Sequence, residues 1–107
     1  PDSFHRYWLE EHGPLVESVA EAIGASRCVQ SHTILPELNE LMIESRGLQA
    51  PYDGVTEVWW ETMSALEQGM SSAAGVEAQG KYLEDEARFI DFSRSRVFMT
   101  EEHEIFS

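Results

Sequence analysis

Positive charge is scarce in this chain. Seven Lys and Arg stand against twenty Asp and Glu, for a net charge of −13. A protein so charged repels nucleic acid and anionic lipid at long range, and the chain has no basic patch to offset it. Cysteine is scarcer still. Cys28 alone excludes an internal disulfide and every Cys-x-x-Cys site, and it suits a reducing, cytoplasmic setting. Without a basic neighbour on its own strand face, it reads as an inert buried thiol. No apolar run approaches the ~20 residues of a membrane span, and no charged-then-apolar leader opens the chain. There is no His-Glu-x-x-His, no Gly-x-Gly-x-x-Gly and no phosphate loop, so neither a dedicated zinc site nor a nucleotide is expected, and no cofactor is called for. Repeats and low-complexity tracts are also lacking.

What is present is enough for one folded unit. The 107 residues are 42% hydrophobic and include three Trp, three Tyr and five Phe. A single domain over residues 1–107 is expected, burying roughly 65% of the surface its unfolded chain exposes.

The organising stretch is Phe4 to Leu15. At helical spacing Phe4, Trp8, Leu15, Val19 and Ile23 share one stripe, and His12 lies among them. An imidazole on an apolar stripe needs either a fixed partner or a cavity. Gly13-Pro14 follows at once. Pro14 removes a donor and crowds the preceding turn, so a kink or break is expected there, freeing carbonyls near residue 10. The helix spans about 2–23 and ends at Gly24. Pro1 suits a first helical turn, and a strand is expected ahead of it.

Arg27 to Ile34 reads as a strand with Cys28, Gln30, His32 and Ile34 on one face. Pro36 to Arg46 reads as a helix with Leu38, Leu41, Met42 and Ser45 on one side. Asp53-Gly54 launches a strand over Val55 to Trp60, whose two tryptophans face opposite ways. Thr62 caps a helix that turns Met63, Leu66 and Met70 inward. A further helix from Ala74 to about Glu84 buries Val76, Tyr82 and Leu83. Glu84-Asp85-Glu86 leads into a turn placing Phe89, Ile90 and Phe92. Strands are expected over Ser95 to Met99 and His103 to Phe106. With one strand in front, the order is that of an α+β ferredoxin-like antiparallel sheet with helices on one face. Its other face is bare. Trp59-Trp60 puts an aromatic on each side, so a second subunit is expected to cover the open face.

Four motifs carry a resemblance: Phe4-x-x-x-Trp8-x-x-x-His12-Gly13-Pro14-Leu15, Val29-Gln30-x-His32, Pro51-Tyr52-Asp53-Gly54-Val55-x-Glu57-x-Trp59, and Phe98-x-Thr100-Glu101-Glu102-His103-x-Ile105. Together they resemble the EthD-like family, named for a protein of ethyl tert-butyl ether degradation. The resemblance implies a dimeric α+β barrel, two ferredoxin-like subunits pressed sheet to sheet, each with a pocket between its own sheet and helices. It also implies that the family's usual first strand precedes Pro1. Residues 36–49 form an insert relative to short members, suited to a lid or rim. Fungal relatives are cofactor-free dehydratases or decarboxylases of aromatic polyketides, and the group is often filed under oxidoreductases.

His12 is the first candidate for chemistry, because an imidazole takes and returns a proton near neutral pH. His32 is the second. If its strand face turns to the helix, the two rings oppose each other, base and acid, across a cavity. Gln30 is placed to hold a substrate oxygen. Tyr7, Trp8 and Trp59 offer flat apolar surface for an aromatic ligand, with core packing as the competing role. The expected function is binding of a small apolar or aromatic molecule by a homodimer, with His-mediated dehydration, isomerisation or decarboxylation. The alternatives are a cofactor-free monooxygenase or other oxidoreductase, a haem binder on the same architecture, and a non-catalytic carrier or accessory subunit.

Overall fold

A computed structural model describes residues 2–107; the proline expected in the first helical turn lies outside them. The elements run α1 (Asp2–Tyr7), a π-helical turn (Trp8–His12), α2 (Gly13–Ile23), β1 (Arg27–His32), α3 (Pro36–Arg46), β2 (Gly54–Trp59), α4 (Met63–Ser71), α5 (Ala73–Glu86) and a short 3-10 turn (Phe92–Arg94). The class is α+β.

Pro14 does not break the first helix. The Gly13 N–H reaches the Trp8 carbonyl, five residues back, and the chain continues helically through Pro14 into α2. Widening one turn is the physical alternative to a break. A proline ring collides with the carbonyl four residues before it, and a π turn moves that carbonyl aside. Gly24 then ends α2 in the left-handed region, φ 74°, its N–H returning to Ala20 and Glu21. Side-chain oxygens of Thr62 and Ser72 cap α4 and α5.

β1 and β2 pair antiparallel, Arg27 opposite Trp59 and His32 opposite Gly54. Residues opposite one another share a face. Cys28, Gln30, His32, Thr56 and Val58 therefore lie on one side, and Arg27, Val29, Ser31, Val55, Glu57 and Trp59 on the other. Gln30 and His32 meet the π turn, so theirs is the helix side. Among the described residues the sheet has these two strands only. Ser95 to Met99 and His103 to Phe106 are not strands: they follow irregular backbone, with Val97 96% exposed. Alternating apolar residues become a strand only against a free edge, and this segment meets none. Its one side-chain tie to the sheet is the Trp59 indole N–H, which donates to the Glu102 carboxylate.

The core is thin. Trp8, Ile23 and Ala78 are its buried apolar residues, with His12 and Asp85 beside them. Several side chains expected inside are exposed, Met63 and Met70 on α4 and Val76 and Leu83 on α5; the apolar side of α3, with Leu38, Leu41 and Met42, is exposed as well. Cys28 is also exposed, where a buried thiol is expected; partial burial of the sulfur still pushes its pKa up. Small residues hold the interior of α4 and α5 instead, with Gly69, Gly75 and Ala78 buried. A Cβ on Gly69 would run into the Ile23 carbonyl at the end of α2. Gly69→Ala should therefore cost about 1–3 kcal/mol, read as a lower Tm in a thermal melt, where a surface Gly→Ala in a helix would raise it.

Accessible surface is 8722 Å² for 12.2 kDa. A compact monomer of this mass exposes about 6,100 Å², so roughly 2,600 Å² is surplus. The surplus includes α3, the sheet face bearing Val55, and the tail.

Candidate functional site

The π turn and α5 meet side on, and their meeting point is polar. His12, 7% exposed, sends Nδ1 to Asp85 Oδ2 at 2.8 Å; Asp85 is 8% exposed. The Tyr7 hydroxyl donates to Asp85 Oδ1 at 2.6 Å, and Arg88 Nη1 stands 3.5 Å from the same oxygen. Phe89 covers the group, its ring 5.0 Å from His12 and 5.2 Å from Tyr7. Tyr82 flanks His12 at 5.9 Å and donates to the Val16 carbonyl at 3.3 Å.

The electrostatics assign the protons. Burial works to raise the Asp85 carboxyl, but hydrogen bonds from Tyr7 and His12, with the charge of Arg88, hold the group below its ordinary value. Asp85 is thus a carboxylate that can only accept. Its partner Nδ1 must carry the hydrogen, which leaves Nε2 of the neutral ring with the lone pair. That nitrogen has no hydrogen-bond partner among the described residues. No buried side-chain nitrogen or oxygen among them lacks one. Nε2 therefore opens onto accessible space, although the ring as a whole is buried. The same carboxylate raises the Tyr7 phenol, while burial pushes Tyr82 up to about 12. Neither phenol ionises near neutral pH.

A second cluster lies on the sheet side of the π turn. Gln30 Nε2 donates to the Trp8 carbonyl at 2.8 Å, the same carbonyl that closes the π turn. The Gln30 oxygen accepts from His32 Nε2 at 2.8 Å. His32 stacks on Trp8, 4.5 Å between centroids and 7° from parallel. His5 lies 4.7 Å from His32 and donates through Nε2 to the Asp53 carbonyl at 2.8 Å. So β1 grips the turn through a chain running His32, Gln30, Trp8, and Gln30 has both ends of its amide engaged.

Of the residues singled out from sequence, the structure brings His12 and Tyr7 together around Asp85. It gathers Trp8, Gln30 and His32 in the adjoining cluster. Trp59 stands apart, on the sheet face away from the helices, under the Arg27 guanidinium at 4.6 Å from its ring centroid. His103 pairs with Glu101 in the exposed tail. Asp85 was not among the sequence candidates. Its signal is the run Gly75, Ala78, Tyr82, Asp85, Phe89, spaced three, four, three and four, which places the carboxylate on the inward stripe of α5.

Burial lowers His32, and the neighbouring His5 lowers it further. A folded state that disfavours the charged ring loses stability as pH falls below the unfolded value near 6.5, until the folded value is passed. Thermal melts between pH 8 and pH 5 should show a steeper decline for the wild type than for His32→Gln, in which this contribution is absent.

Two clefts open nearby. One, of about 380 Å³, runs along α5 and is lined by Gln79, Gly80, Tyr82, Leu83 and Glu86. The larger, about 640 Å³, lies between α2 and α4 among small residues such as Ala22, Ala65 and Gly69, and holds none of the candidate residues. Among the described residues no cluster of His, Cys, Asp and Glu could hold a metal ion, and no helix is long and apolar enough to cross a membrane.

A family model described as EthD domain matches residues 1–93. The chain belongs to the EthD family, whose fold is a dimeric α+β barrel. No curated protein and no solved structure matches it.

Proposed function

We propose that this member of the EthD family binds a small, uncharged aromatic or polyketide-like molecule and moves a proton on it without a cofactor, His12 acting as the base. The observation that carries this is the state of one ring. Nδ1 is fixed by a buried carboxylate, and Nε2 is left basic at accessible space.

The charges at the site narrow the substrate. Asp85 sits against the ring, and the nearby Arg88 is already shared between Asp85 and Glu84. A substrate carboxylate would meet like charge without a free cation to receive it. This favours dehydration or isomerisation of a neutral ketone over decarboxylation. His32 and Gln30 act in this reading as positioning residues. They hold the Trp8 carbonyl, and with it the turn that aims His12. Trp8 and Tyr7 bound the site rather than react.

The working unit is a homodimer through the open sheet face. The surplus is large enough to supply one chain's share of an obligate interface, about 1,000–2,500 Å² per partner, and Val55 is exposed on that face. Sedimentation equilibrium should return twice the chain mass.

The chemistry is tested with the benzaldehyde–acetone aldol, a neutral β-hydroxy ketone that loses water to a conjugated, strongly absorbing enone. Dehydration above the buffer rate, saturating in substrate, supports the reading. Binding of the aldol with no enone formed would reduce the protein to a carrier.

A further inference from the structure

Elimination of water needs two proton movements, and the pair built around His12 and Asp85 supplies one. Asp85 is committed to Tyr7 and His12, and Tyr7 is committed in turn. The next residue on α5 is different. Glu86 follows Asp85 by one position, about 100° around the helix, so it leaves the buried stripe and faces the cleft. It lines that cleft together with Tyr82, the ring flanking His12. Among the described residues nothing binds its carboxyl: no ion pair and no side-chain hydrogen bond reaches it. Because it is not an exposed residue and is not a buried orphan either, its oxygens reach the cleft.

From this geometry we infer that Glu86 is the acid of the site, donating a proton to the leaving oxygen of a β-hydroxy carbonyl compound seated between His12 and the cleft beside Tyr82. The inference rests on the acid–base reading above and adds its missing half. The substrate class follows from it: a hydroxyl leaves well only as water, so the substrate carries its leaving hydroxyl β to a ketone. The step balances without a redox partner. His12 Nε2 takes the α-proton, the Cα–H pair becomes the new C=C bond, and the C–O pair leaves with the oxygen. That oxygen takes the Glu86 proton and departs as water. The imidazolium proton then returns to Glu86 through solvent. Neighbouring carboxyls pushed in opposite directions fit this division. Burial raises Glu86, with Asp85 adding to the rise against the opposing charge of His12, while Asp85 is held low.

The test compares two leaving groups on the full chain. One is the benzaldehyde–acetone aldol. The other is its O-acetyl ester, which expels acetate and needs no acid. Glu86→Gln should slow enone formation from the aldol about 10²-fold or more and leave the acetate within a few-fold of wild type. His12→Asn should slow both. Equal loss on both probes in Glu86→Gln, or no loss on the aldol, would overturn the assignment and leave the His12 reading standing. Unchanged rates in His12→Asn, or no enone from either probe with wild type, would overturn both.

Discussion

Replacing Asp85 with alanine should lower stability by about 3 kcal/mol, the cost of stripping one partner from a buried charge-assisted group. For a domain of this size that is a Tm lower by roughly 10–20 °C. The change removes the acceptor of Tyr7 and of His12 at once and deprives Arg88 of a partner, in a core whose buried apolar residues are few. Asp85→Asn should cost less. The amide keeps the volume, and its oxygen can still accept from Tyr7. The pH dependence has a definite sign. A carboxyl held below its ordinary value stabilises the fold at and above the unfolded carboxylate range, and that stability is lost as pH falls through the folded value. Melts of Asp85→Ala should accordingly show a shallower decline below about pH 4 than those of the wild type. A Tm change of only a degree or two would mean that the buried pair contributes little.

The second large effect is on turnover. His12→Asn keeps a donor that can reach Asp85, so the fold should survive and circular dichroism should be unchanged. The base is gone, and dehydration of the aldol should fall about 10²- to 10⁴-fold, the range general-base catalysis supplies. The loss should appear in kcat with little change in KM, since the ring contributes a proton acceptor more than binding surface. A variant that loses affinity and keeps kcat would place His12 in binding alone.

Helical spacing made much of this legible. The stripe from Phe4 to Ile23 put His12 inside, and Trp8, His12 and Ile23 are indeed buried. The cap at Thr62, the stop at Gly24 and the Asp53-Gly54 turn are local chemistry, and local chemistry shows in sequence. The outcome at Pro14 does not show, because a break and a π turn both relieve the same clash, and the choice depends on Gln30 reaching across from β1 to the Trp8 carbonyl. Asp85 was hidden by its neighbours. Glu84-Asp85-Glu86 looks like a solvated acidic run until the small residues Gly75 and Ala78 are counted as part of an inward face. Large apolar residues misled in the same way on α4 and α5, where glycine and alanine pack inside and Met63, Met70, Val76 and Leu83 face out. Strand pairing beyond β1 and β2 is non-local, and alternation in Ser95 to Met99 carries no information about an available edge.

The proposed chemistry depends on which nitrogen of His12 holds the proton. Long-range ¹H–¹⁵N correlation spectra of histidine-labelled protein at pH 8 read this directly, with His12→Asn providing the assignment. A base held by Asp85 should show a protonated Nδ1 and a bare, pyridine-like Nε2 for His12, and lose that single tautomer in Asp85→Asn. A protonated Nε2 in the wild type, or a spectrum indifferent to Asp85, would contradict it.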